Sequence, residues 1–459
     1  MTPTIPVLIV GGGISGLVCA YSLRKAGIEA QLVEASAQPG GMIRSEKRDG
    51  FLLELGPQSF SGTAALRSLC ADLGIADQIS QAPAAAPRYV LIDGALKAVP
   101  LSPPALLSSS FLSARTKWRI ARDAFGNTRP PEEDESVAGF VRRKFGAELL
   151  ERLVGPFVSG IYAGDPERLS LRAAFPQLHE AEESAGSVIR GMMRAAKSRK
   201  RPRERPSLLS FRDGNETLVR ALAAKIGPEL RVGAEVIAIS VRREAAGARY
   251  EVRISAAGRE ETVATESLVL ATSANVAGAL LRGVNAGFEP ALAGIEYAPV
   301  AVVSLGYRRE DVAHSLEGFG FLVPRSSGLQ MLGTVWNSSL FPGRALASHV
   351  LLTSFVGGAT NPGAAALSTQ ELCDLVHREI APLLQIRAGA VFSHVQVYRR
   401  ALPQYNIGHA DRLKALERLR AEQPGLFFVG NYLRGPAIGN CVELAMTTAE
   451  VIGNQVKST

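Results

Sequence analysis

The chain is poor in the residues that staple or metallate a fold. Its 459 residues include four cysteines, Cys19, Cys70, Cys373 and Cys441, spaced so widely that no Cys-x-x-Cys pair exists. That excludes a disulfide framework and a cysteine zinc site as organising principles and fits a reducing compartment. The six histidines show no metal-ligand spacing. No apolar run approaches the ~18 residues of a spanning helix, and the N-terminus lacks the basic lead of a signal peptide. Nucleic-acid motifs, internal repeats and long low-complexity tracts are missing too. The expectation is a cytoplasmic protein whose membrane contact is at most peripheral, on the inner face of the cell membrane. Hydrophobic content of 46% against 20% charged residues indicates a globular chain, too long for one core, so two or three domains are expected. The net charge of +8 suits an acidic ligand or anionic lipid without implying nucleic acid.

What is present is concentrated at the two ends. Near the start, Ile9-Val10 run into Gly11, Gly12, Gly13, Ile14, Ser15 and Gly16. An apolar strand, a glycine turn and a helix start in that order hold a dinucleotide pyrophosphate on backbone N–H groups. Gly11 permits the turn, Gly13 permits close approach of phosphate, and Gly16 lets the helix pack on the strand. About twenty residues on, Glu34 ends the strand Gln31-Leu32-Val33, followed by Ala35, where a carboxylate can bind ribose hydroxyls. The glycine motif alone does not separate NAD from FAD. Pro39-Gly40-Gly41-Met42-Ile43-Arg44-Ser45, then Glu54-Leu55-Gly56-Pro57-Gln58-Ser59-Phe60, resemble the flavin amine oxidase superfamily, in which this loop runs beneath the flavin. Near the end, Leu426-Phe427-Phe428-Val429 reads as a buried strand reaching Gly430. It leads through Gly435 and Gly439 to a closing helix of roughly 441–456 that carries Val442. Cys19 and Cys441, close to these segments, read best as small buried hydrophobes.

Between the ends, Leu66 to Leu73 has helical spacing with Gly74 as its stop, and Arg88 to Ile92 alternates like a strand before an Asp93-Gly94 turn. Residues 105–200 are helical in pattern, with Val137, Phe140 and Val141 on one stripe. Arg190 to Pro206 is the most basic stretch. A solvated loop is the plainer reading and an anionic membrane surface the sharper one. A helix opens within Phe211 to Val219. Arg231 to Ile239 then reads as a strand returning to the first sheet, and 297–395 contains several β-rich runs that suit a sheet walling a cavity.

Further segments resemble the FAD-dependent, oxygen-using protoporphyrinogen oxidases of that superfamily. They are Ala86 to Leu91, Glu135 to Gly146, Pro156 to Pro166, Gly318 to Arg325, Leu332 to Trp336, Ser339 to Pro342 and Gly430 to Glu443. They cover nearly the whole chain in family order. The resemblance implies an α/β fold: a Rossmann-like FAD-binding domain (1–87, 207–296 and 395–459), an α+β substrate domain built on a β-sheet (88–100 and 297–394) and a helical, membrane-associated subdomain (101–206). It implies that protoporphyrinogen IX is oxidised with O2 as electron acceptor. By matching position it assigns Gly11 to Gly16 to the pyrophosphate and Glu34 and Ala35 to the adenosine side. Gly41, Met42, Arg44, Gly56, Pro57, Gln58 and Ser59 would line the flavin. Val236 and Gly430 would contact the cofactor, and Val442 would offer an amide at the start of the last helix. Arg88 would face a substrate propionate, with Leu322 and Phe341 as apolar contacts whose plainer reading is core. Two positions depart from the family pattern: Asn440 stands where a basic residue is usual, and Val312 roughly where a leucine clamp is usual.

No general base, histidine dyad or metal triad emerges, so catalysis is expected to rest on positioning and cofactor electronics. Alternatives are a coproporphyrinogen III oxidase, another flavin amine oxidase or carotenoid desaturase, and a non-catalytic flavin- or haem-precursor-binding protein. The sequence is silent on oligomeric state, with a homodimer left open.

Overall fold

Apolar β-runs separated by glycine turns sort the chain into two large sheets. A computed structural model describes residues 4–100, 102–198, 207–244 and 247–458. In the first sheet the strands run Leu230–Val232, Ala30–Glu34, Thr4–Val10, Arg259–Leu270, Gly247–Ala256 and Ala234–Glu244, with Leu426–Phe428 also pairing Arg259–Leu270. Thr4–Val10 is parallel to both neighbours. Its Val7, Leu8 and Ile9 are fully buried, as expected of a parallel strand covered on both faces. One face carries helices Ile14–Lys25 and Ile438–Ser458, which interlock through Leu17, Val18, Val442, Ala445 and Ile452. Arg231 to Ile239 is not one strand. Gly233, at φ +64°, breaks it into Leu230–Val232 and the bulged Ala234–Glu244. Ahead of the helix expected within 211–219 there is also a short strand, Leu208–Phe211, and the helix itself is Glu216–Ile226.

The second sheet runs Phe392–Pro403, Tyr297–Arg308, His349–Gly357, Met331–Trp336, Gly320–Leu322, Arg88–Ile92 and Ala95–Ala98. Its edge strand therefore continues to Pro403, beyond the boundary at 394 expected from sequence, because Val395 to Tyr398 pair along Val303 to Val300. Register assigns the faces. Phe321, Trp336, Ala301, Val303, Leu352 and Val356 pack under helix Thr369–Leu384 through Leu372, Val376 and Ile380. That helix interrupts the β-rich runs expected over 297–395. Arg88, Leu322, Gly333, Val335, Phe355, Val302, Val300 and Tyr398 occupy the opposite face. Val312 belongs to the helix-covered core with Tyr307 and Leu316, away from Arg88, so it is no clamp on that face.

Helices Pro103–Ser108 through Val188–Lys197 form the third region. The path from Ala147 to Tyr162 stays helical across Pro156, which occupies the first turn of Gly155–Tyr162 where no N–H is needed. A π-helical segment, Leu150–Val154, precedes it. The part of the basic stretch up to Lys197 is helix rather than loop; Arg199, Lys200, Arg201, Arg203 and Arg205 lie outside the described residues. A buried ion cluster ties this region together: Lys144 Nζ lies 2.6 Å from Asp123 and 3.2 Å from Glu182, and Arg143 also grips Glu182. Burial alone pushes the Glu182 carboxyl up, but hydrogen bonds from Arg143 and Thr128 and the two cationic charges outweigh it and hold it down to about 2.

Between the two sheets lies a second buried pair. Arg344 and Glu54 side chains are each 1% exposed, with Arg344 Nη1 2.7 Å from Glu54 Oε1. Ser45 Oγ donates to Glu54 at 2.6 Å, the Asn215 N–H at 2.9 Å, and Arg344 Nη2 donates to Ser210 Oγ. Burial pushes the Glu54 carboxyl up, and Arg344, Ser45 and Asn215 oppose it. Removing one partner from such a pair strands the other charge in the interior. Arg344→Met is expected to cost about 3–5 kcal/mol in urea denaturation. A loss below about 1 kcal/mol would show that the pair does not brace the fold.

Candidate cofactor and substrate site

The glycine turn is built as the motif requires. Gly11 has φ +107° and donates its N–H to the Val33 carbonyl at 2.8 Å. A Cβ on Gly16 would lie 2.0 Å from the Gly11 carbonyl oxygen, so only glycine lets the helix turn back onto the strand. A Cβ on Gly13 would meet nothing within 4 Å, and one on Gly41 only the Gly13 Cα at 3.6 Å. The Gly40 N–H donates to the Gly12 carbonyl at 2.7 Å, so two glycine loops are laced together beside an open concavity. Helix Ile14–Lys25 starts there with no capping side chain and no acid in its first turn. Its first amides have no side-chain acceptor, which suits a pyrophosphate. Glu34 stands at the rim, accepting from the Gly12 N–H at 2.6 Å and the Ser36 N–H at 2.8 Å, with carboxylate lone pairs left for hydroxyls. Ser15 lies buried in the first turn, and Ala35 follows Glu34. Burial pushes the Cys19 thiol up to about 12 and Cys441 up to about 11, so both are inert protonated core residues.

The second loop is held by its own backbone. A Cβ on Gly56 would lie 2.1 Å from the Met42 carbonyl oxygen, and the Leu55 N–H donates to the Arg44 carbonyl at 2.9 Å. Gln58 is engaged: its amide donates to the Glu54 and Gly56 carbonyls and accepts from Asn337 at 2.6 Å. Asn215 donates to the Pro57 carbonyl at 2.8 Å. Ser59 is half-buried, and Arg44 is exposed with only Gln38 as hydrogen-bond partner. Arg344, Asn215, Ser210 and Asn337, which brace this loop, were not foreseen. They are distant in sequence and carry no local motif.

The other chain end arrives beside the first. The Val429 N–H donates to the Leu270 carbonyl, and Gly430 turns at φ +157°. The last helix begins at Ile438, not near Cys441, because Gly435 and Pro436 end the preceding turn. Val442 is therefore one turn inside, fully buried, and the helix-start amides belong to the residues before it. That corrects its expected place at the helix start. Asn440, in place of the usual basic residue, donates to the Arg434 carbonyl at 3.1 Å and so braces that turn. Val236 sits at a bulge, packed with Val10 and Val33.

On the face of the second sheet turned away from helix Thr369–Leu384, the Arg88 guanidinium lies 5.7 Å from the Phe319 ring and has no carboxylate partner among the described residues. Phe319, Phe355 and Phe341 share one cluster. Phe341 is 2% exposed, with Arg344 over its ring at 5.6 Å. Leu322 is half-buried and touches the helix Gly155–Tyr162 at Gly160. A separate open cleft of about 810 Å³ between Asp93, Arg152 and Arg378 is lined by mixed charges. The described residues contain no metal-ligand cluster.

The family described as flavin containing amine oxidoreductase matches residues 14–453. The chloroplastic protoporphyrinogen oxidase of Oryza sativa subsp. japonica is 36% identical, over 97% of this chain and 88% of that protein. Coproporphyrinogen III oxidase of Bacillus subtilis (strain 168) is 28% identical, over 95% of each. A crystal structure from Exiguobacterium sp. 255-15, provisionally assigned as a protoporphyrinogen oxidase, superposes with TM-score 0.81 at 26% identity, covering 99% of both chains. The chain belongs to the flavin-containing amine oxidoreductases and, within them, groups with the protoporphyrinogen oxidases. It is an FAD-dependent oxidase.

Two glycine variants separate cradle from scaffold. Gly13→Ala is expected to fold normally and lose FAD affinity by at least about tenfold, since roughly 1.4 kcal/mol suffices for that factor. Gly16→Ala is expected to lower the melting temperature of the apoprotein as well. Equal flavin titrations for Gly13→Ala and wild type would remove Gly13 from the cradle.

Proposed function

We propose that the protein oxidises protoporphyrinogen IX to protoporphyrin IX, six electrons leaving in three rounds with O2 as final acceptor and hydrogen peroxide as by-product. Bound FAD supplies the hydride acceptor and the route to oxygen. The chain's residues supply place and environment. Gly11 to Gly16 and Glu34 hold the dinucleotide, and the loops at Gly41 to Arg44 and Gly56 to Ser59 hold the flavin. Gly430 and Val236 border the cofactor, and Val442 supports it from within the last helix. Arg88 anchors a propionate, while Leu322 and the Phe319–Phe341–Phe355 cluster receive the apolar macrocycle and exclude water.

The observation that carries this reading is Arg88: an unpaired guanidinium over an aromatic ring at one edge of an otherwise apolar floor of Leu322, Val335, Phe355 and Val302. Such a face suits a substrate with carboxylates on one side and apolar substituents elsewhere. The Bacillus relative supports a second reading, coproporphyrinogen III, whose four carboxylates surround the ring. Purified holoenzyme given each porphyrinogen, with porphyrin fluorescence recorded, decides between them. Arg88→Ala is expected to raise KM about tenfold or more with a smaller fall in kcat. An equal loss in both, or none, would remove its anchoring role.

Peripheral contact with an anionic membrane is also proposed. No helix among the described residues is long and apolar enough to cross a membrane. Yet Trp118, Phe125, Met192 and Met193 are exposed, at 60, 87, 41 and 55%, beside Arg115, Lys117, Arg119, Arg122, Arg194 and Lys197. Each nearby cation contributes about 1 kcal/mol at an anionic surface. Vesicles containing phosphatidylglycerol should sediment the protein and blue-shift its tryptophan emission, with Trp118→Ala weakening binding severalfold. No binding at low salt would end this part of the proposal.

A further inference from the structure

The floor facing Arg88 carries polar groups that the functional reading leaves idle. The edge strand Phe392–Pro403 sets His394, Gln396 and Tyr398 opposite Ser304, Val302 and Val300, on the face Arg88 shares. Two of these are engaged locally: His394 faces Glu46 at 3.9 Å, and Gln396 donates to the Val397 carbonyl at 3.2 Å. The Tyr398 hydroxyl has no hydrogen-bond partner among the described residues. Its ring packs with Val300, Val302, Leu332, Phe355 and Ala163, and the charge of Arg44, on the loop assigned to the flavin, acts on it. Burial pushes its phenol up, against the opposing effect of Arg44, so the group is a neutral phenol at pH 7.

The substrate class has three chemically distinct parts: an apolar rim, carboxylate arms, and pyrrole N–H donors converging at its centre. The face has matching parts. Arg88 stands on the strand next to one edge and Tyr398 on the opposite edge strand, five strand intervals or about 24 Å across the sheet, with aliphatic and aromatic side chains between. Resting on the functional reading above, we propose that Tyr398 is a substrate-contacting residue whose phenol oxygen accepts a hydrogen bond from a pyrrole N–H. It holds the macrocycle so that a bridge carbon meets the flavin. Bound FAD in its oxidised form would take the bridge hydrogen with its electron pair, as hydride. Positive charge then spreads to the adjacent pyrrole nitrogen, and the N–H···O bond strengthens as it does so. The N–H proton afterwards leaves to water, so two electrons and two protons' worth of hydrogen are removed in each round, and the phenol keeps its own proton throughout.

The test is anaerobic stopped-flow mixing of FAD-loaded protein with protoporphyrinogen IX. Tyr398→Phe deletes only the hydroxyl. It is expected to keep the flavin content and melting temperature of wild type and to slow flavin reduction roughly 10- to 100-fold, the range for a hydrogen bond to a charged partner. KM should change less than kcat, and reoxidation of the dithionite-reduced protein by O2 should be unaffected. A reduction rate within about twofold of wild type overturns the proposal. Loss of bound flavin, or equal slowing of the oxygen step, overturns it as well, because the tyrosine would then be structural. If wild type itself is not reduced by the porphyrinogen while holding flavin, the functional reading fails instead.

Discussion

One buried charge pair fixes the relation between the two sheets. Arg344 comes from the loop between two strands of the second sheet, and Glu54 ends the hairpin that leads to the flavin loop. With Ser45, Ser210 and Asn215 satisfying their remaining valences, they turn a costly pair of desolvated ions into a directional joint. Everything downstream inherits its geometry. The backbone from Gly56 to Ser59 hangs from Glu54, Gln58 reaches from that backbone to Asn337, and Phe341 lies against the Arg344 guanidinium. Cofactor loop and substrate floor are thus set by the same few atoms.

This also shows which features were legible in the primary structure. The dinucleotide end was nearly transparent. Gly11, Gly13, Gly16 and Glu34 have roles set by local backbone sterics, and the strand and helix around them lie where periodicity puts them. Arg88 to Ile92 and its Asp93-Gly94 turn were equally plain, since Asp93 at φ +52° and Gly94 at φ +76° are turn residues. Long-range organisation was opaque. Nothing in Phe341-Pro342-Gly343-Arg344 marks the arginine as 1% exposed, because its partner is 290 residues away. Helix Thr369–Leu384 carries a local signal in its Ser368 capping box with Glu371, but the β-rich runs on either side mask it. Val442 was misplaced because helix ends depend on the preceding turn, and here Gly435 and Pro436 decide it.

The chemistry asked of the side chains is modest. Gln58, foreseen by motif, spends its amide on the Glu54 and Gly56 carbonyls and on Asn337. Rate enhancement in such a site comes from orientation and from a dry, preorganised surface. That explains why Leu322, Val335, Phe355 and Val302 fill the middle of the floor.

The topology has a consequence for biogenesis. Thr4–Val10 is synthesised well before its neighbour Arg259–Leu270, which follows some two hundred and fifty residues later, and Leu426–Phe428 joins the sheet later still. A parallel strand this apolar has no stable half-built form and presents an open edge while it waits. The nascent chain must therefore be shielded until Leu426–Phe428 and the helix Ile438–Ser458 have been made, and flavin can lock the fold only once these late segments have joined the early ones. In a cell short of riboflavin, the expected fate of this protein is proteolysis of the unclosed form rather than accumulation of a stable, empty enzyme.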